Sequence, residues 1–145
     1  MTGPVNRSAK ATRTLDIVGL AMVGLITAVN WVGMYAAAYA EIPEGADGWK
    51  VAGTSRSISL HMLLGILLVG GAVYHLVLAI RGKKLPAILC SAIGFGGLAG
   101  AIASGSVFLS MQDDVLALVM AASAAVSLLA YVAGIFVAKG RKPGT

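Results

Sequence analysis

Four apolar stretches, each about as long as a bilayer is thick, dominate this chain of 145 residues: Leu15–Tyr39, Ile58–Ile80, Pro86–Leu109 and Val115–Ala138. A span of hydrocarbon takes about 20 apolar residues in helical form. Inside the bilayer every backbone N–H and C=O must find a partner within its own helix or in a closed barrel. The ten-residue alternation of a membrane barrel is absent from these runs. The sequence therefore predicts an all-α integral membrane protein of four transmembrane helices in an antiparallel bundle. Only 12% of residues are charged against 58% hydrophobic. That is half the charge of an ordinary soluble domain, too little to cover a water-facing surface.

The remaining segments are short. Residues 1–14 read as a basic tail, Glu41–Ser57 as a connector rich in Gly and Pro, and residues 139–145 as a second basic tail. The transmembrane domain is expected over 15–138. The segment from the basic start to Ala38-Tyr39-Ala40 has some features of a cleavable signal. Its apolar run of about 25 residues exceeds the 7–15 of a signal core, so a retained helix is expected.

Charge orients the bundle. Arg7, Lys10, Arg13, Arg81, Lys83, Lys84, Lys139, Arg141 and Lys142 fall on one side of a four-span chain. Lys50 and Arg56 are alone on the other, with Glu41, Glu44, Asp47, Asp113 and Asp114. Nine basic residues against two predict that both termini are cytoplasmic. The basic balance is thus spent on orientation and calls for no nucleic-acid partner.

Few residue types that carry chemistry are present. The lone Cys90 has no second thiol for a disulfide or a CxxC site. Asp16 is expected at the start of the first helix, where its carboxylate would favour the positive dipole end. No other Asp, Glu, Lys or Arg interrupts a span, which argues against an ion-coupled transporter or proton channel. Asn30 is expected to be buried as polar glue between helices. Trp31, Tyr35, Tyr39 and Trp49 mark the outer aromatic belt. The third run carries a ladder of small residues, Ala92, Gly96, Gly100 and Ser104, and beside it Gly97, Ala101 and Gly105. Such ladders let helix backbones touch, either within the bundle or across a homodimer seam.

The only two histidines, His61 and His75, share the second helix. Fourteen residues separate them by about 21 Å along the axis and return the second ring to within about 40° of the first. Gly65 and Ala72 thin the face between them. The segment His61–Gly65 through Tyr74–His75, H-x3-G-x9-H, resembles the haem-binding helix of small membrane b-type cytochromes, the cytochrome b561-like and flavinylation-associated types. The resemblance covers about 25 residues. It implies one haem b per leaflet, ligated by His61 and His75, with electrons passing between a quinone pool and a redox partner. Those families supply the second pair of ligands from another helix, and this chain has no further histidine. A parallel homodimer, or Met34 for His61 and Met22 for His75, would have to complete the iron coordination. Arg81, Lys83 and Lys84 would meet the propionates of the inner haem. The bacterial examples imply a bacterial or archaeal plasma membrane. The competing expectation is a non-catalytic accessory subunit of a larger membrane complex.

Overall fold

A computed structural model describes residues 4–40, 50, 53 and 55–139, with side chains from residue 13 to residue 137. Its helices are α1 (Pro4–Tyr39), α2 (Arg56–Arg81), α3 (Leu85–Met111) and α4 (Asp114–Lys139). Each carries a stretch long and apolar enough to cross a membrane, beginning at Arg13 in α1. The four expected apolar helices are all present, extended by a residue or more at both ends except at Tyr39. The largest difference lies at the start, where α1 reaches back to Pro4 in place of a tail running to residue 14. Proline suits a first helical position, because its missing N–H would have no intrahelical partner there. Asp16 consequently lies about three turns inside α1, not at its dipole end. Its Oδ1 is buried without a hydrogen bond among the described residues.

The turns are tight. Between α2 and α3 the chain reverses through Gly82, Lys83 and Lys84, with Lys83 in the left-handed region at φ 52°. Pro86 follows in the first turn of α3. Between α3 and α4, Gln112 is left-handed at φ 50°, and the Val115 N–H donates to Asp113 Oδ1 at 2.8 Å. That carboxylate satisfies a first-turn donor that the helix itself cannot. Most of the Glu41–Ser57 connector, and the tail beyond Lys139, lie outside the described residues.

The helices form a ring in which α1 meets α2 and α4, and α3 meets the same two. The closest approach is between α3 and α4, where glycines replace side chains. A Cβ on Gly94 would meet the Tyr131 ring at 2.8 Å, and one on Gly97 would meet the Ser123 carbonyl oxygen at 2.7 Å. Further along, Gly100 faces Ser123 and Gly105 faces Met120. The expected first ladder is therefore only half correct. Gly100 and Ser104 belong to the seam, but Ala92 and Gly96 are exposed, and nothing stands within 4 Å of a Cβ on Gly96. The second ladder, with Gly94 added, carries the contact. One residue of offset from Gly97 turns Gly96 away from α4, since adjacent helical positions are about 100° apart.

The core runs through the middle of the ring. Met22 and Ile26 of α1, Leu68 and Ala72 of α2, Leu98 of α3 and Tyr131 of α4 form one buried cluster. A second, Leu15, Ala79 and Ala87, closes the end near the α2–α3 turn. A third, Ala36 and Ile58, joins α1 to α2 alone at the opposite end.

Candidate functional site

Both histidines of α2 turn toward α1, and each is received by the same local arrangement. His61 Nδ1–H donates to the Val29 carbonyl at 3.1 Å, and the ring lies on Gly33, whose Cβ, if it had one, would be 2.7 Å from His61 Cε1. His75 is within hydrogen-bonding reach of the Leu15 carbonyl, and its Nε2 lies 3.3 Å from where a Gly19 Cβ would stand. A carbonyl at one position and a glycine four further on thus recur after fourteen residues of α1, matching the fourteen between the histidines. At Gly33 the imidazole occupies the volume a side chain would take, whereas a Cβ at Gly19 would be tight against both Ile135 and His75.

The two rings differ in what else they touch. His61 is half-buried, and its Nε2 has no hydrogen bond among the described residues. His75 is only 5% exposed, with Nδ1 2.9 Å from Ser91 Oγ on α3 and its ring edge-on to Tyr131, centroids 5.1 Å apart. Ser91 Oγ is also 2.6 Å from the Ala87 carbonyl. The single Ser91 hydroxyl proton goes to the Ala87 carbonyl, so His75 Nδ1–H donates to Ser91 Oγ. His75 therefore ties three helices together.

A haem at either level needs a free axial nitrogen and a flat space beside it. Around His75 neither is available. Nδ1 is held by Ser91, Nε2 is packed against α1 at Gly19, Tyr131 fills the bundle centre, and the space bounded by Leu15, Asp16, His75, Ala87, Gly134 and Ile135 is too tight to admit a water molecule. Ala72 does not wall a gap, because it is fully buried against the central cluster. A Cβ on Gly65 would meet nothing within 4 Å, so this position is open but borders no ring. Met22 does not reach toward iron either, since its sulfur lies on Gly71, 2.7 Å from a Cβ position there. Met34 is 65% exposed on the outside of α1. Arg81 and Lys83 are exposed and Lys84 is half-buried, all at the α2–α3 turn. The residues at the His75 level do not fit a macrocycle.

Sequence reasoning missed the residues that receive the histidines. Gly19, Gly33 and Ser91 had a legible signal, a glycine pair on α1 with the histidine spacing, but only the pairing of helices gives it meaning. Asn30, expected to be buried, is exposed and has no hydrogen bond among the described residues. Several serine and threonine hydroxyls, by contrast, are satisfied internally. Ser127 Oγ–H donates to the Gly94 carbonyl of α3 at 2.8 Å, and Thr27 and Ser104 donate one turn back along their own helices.

No family model, curated protein or solved structure matches this chain.

Proposed function

We propose that this chain is a subunit of a larger membrane assembly, working through its surfaces and not through a reaction of its own. It is an antiparallel four-helix bundle in the plasma membrane with both termini cytoplasmic. The order of contacts supports the antiparallel reading, since α1 positions 19, 22 and 33 meet α2 positions 75, 71 and 61. The nine basic residues against two support the orientation.

The observation that carries the subunit reading is Asn30. An amide within a span ordinarily hydrogen-bonds a neighbouring helix. Here it is exposed, so its natural partner is a polar group on another polypeptide. Co-purification in mild detergent after photo-crosslinking from position 30 tests this. A crosslinked protein adduct is expected, and exclusively lipid adducts would overturn it.

A b-type cytochrome passing electrons from quinone to a redox partner is the second reading, favoured by one observation. His61 holds Nδ1–H on a carbonyl and leaves Nε2 free, as metal-bound imidazoles do. A reduced-minus-oxidised spectrum separates the two. The subunit reading predicts no Soret or α-band, and stoichiometric haem abolished by His61→Ala would replace it with the cytochrome.

A further inference from the structure

Open space is found on the outside of the bundle as well as between the helices. On the outside of the α1–α2 pair it is a groove of about 510 Å³, lined by Trp31, Val32, Tyr35, Arg56, Ser57 and Leu60. It lies where the α1 span ends at Tyr39 and the α2 span begins at Arg56. The size is in the range of sites for small amphiphiles, roughly 300–1,000 Å³. Its lining is almost wholly apolar and it opens sideways along the helix faces.

Three features define the occupant. Arg56 is exposed and has no ion-pair partner among the described residues. A guanidinium at the rim of an apolar groove matches an anion attached to a hydrocarbon chain, and its planar fork suits phosphate in particular. Trp31 and Tyr35 are 68% and 59% exposed, and Tyr35 stacks on Tyr39 with centroids 4.8 Å apart. Aromatic rings of this kind sit at the headgroup level of a bilayer. Leu60, one turn further into the α2 span, continues the apolar floor toward the hydrocarbon. A soluble anion would gain nothing from that floor, and a neutral lipid would gain nothing from Arg56.

We infer that this groove binds one anionic phospholipid, its phosphate on Arg56 and the start of an acyl chain along Leu60, Val32 and Trp31. The site is independent of the histidines and of the assembly reading. The test uses the full-length protein in nanodiscs of equimolar phosphatidylglycerol and phosphatidylcholine, with retained lipid counted by native mass spectrometry after extraction. The wild type should retain one phosphatidylglycerol in preference to phosphatidylcholine. Arg56→Gln should lower that preference by about tenfold, the loss of one charge-assisted hydrogen bond. Leu60→Trp should fill the floor and remove the retained lipid with Arg56 intact. Lys50→Gln, which removes a cation outside the lining, should change neither. Equal retention of the two lipids by the wild type overturns the proposal, as does a Lys50→Gln loss equal to that of Arg56→Gln. Displacement of phosphatidylglycerol by uncharged decylubiquinone would make the groove a quinone site instead. Unaltered thermal unfolding of Arg56→Gln, expected for an exposed side chain, would assign its effect to the groove and not to the fold.

Discussion

Tyr131 is the largest side chain wholly enclosed by the bundle, yet its hydroxyl has no partner among the described residues. An unsatisfied buried hydroxyl costs about 1–3 kcal/mol. Tyr131→Phe should therefore leave thermal stability unchanged or raise it by about 1 kcal/mol. A clear loss in a detergent melt would show that the phenol is hydrogen-bonded. The histidine seats give the opposite sign. Gly33→Ala pushes a methyl against the His61 ring, which must move off the Val29 carbonyl. Such overpacking costs about 1–3 kcal/mol. The penalty should shrink by about 1 kcal/mol or more in a His61→Ala background, because contacting residues couple. Gly24→Ala is the control, since nothing stands within 4 Å of its Cβ, and it should be neutral or stabilising. Additive penalties at 33 and 61 would mean that the ring does not rest on that glycine.

The helix ends illustrate what composition conveys. Apolar length located the four spans to within a few residues, because hydrocarbon forces helical hydrogen bonding wherever the chain is apolar. It could not tell that α1 continues to Pro4, since a helix may extend into water at little cost once a span has nucleated it. Faces were harder still. In a soluble helix the apolar stripe marks the buried side, but α3 is apolar all round, so Gly96 and Gly97 look equivalent in sequence. Only the α4 backbone distinguishes them. Gly97→Leu should unfold or separate the α3–α4 pair, with a loss of about 3 kcal/mol or more, because the group it strikes is main chain and cannot rotate away. Gly96→Leu should melt like the wild type. Equal melts for the two variants would place the seam elsewhere. At the His75 level the space beside the ring is closed for a related reason. The spacing of His61 and His75 is legible, but what a helix of this kind faces is decided by its neighbours' glycines.

Across the whole molecule, orientation rests on charges at the helix ends. In a Cys90→Ser background, Lys50→Cys and Lys83→Cys should react with an impermeant thiol reagent from opposite faces of the membrane. Labelling of both from one face would refute the arrangement of spans. The interior ties are unevenly distributed in a way that also acts at this scale. His61 joins α2 to α1 and Ser127 joins α4 to α3, so each of these bonds stays within one hairpin. Among the side-chain hydrogen bonds described, His75 to Ser91 is the one that links the two hairpins. It lies near the α2–α3 turn, where Leu15, Ala79 and Ala87 add apolar contact across three helices. At the far end the buried cluster of Ala36 and Ile58 belongs to the first hairpin alone. Among the described residues the two pairs thus resemble tongs with a single side-chain rivet, placed at one end. A neighbour that spreads the far ends would load the His75–Ser91 bond.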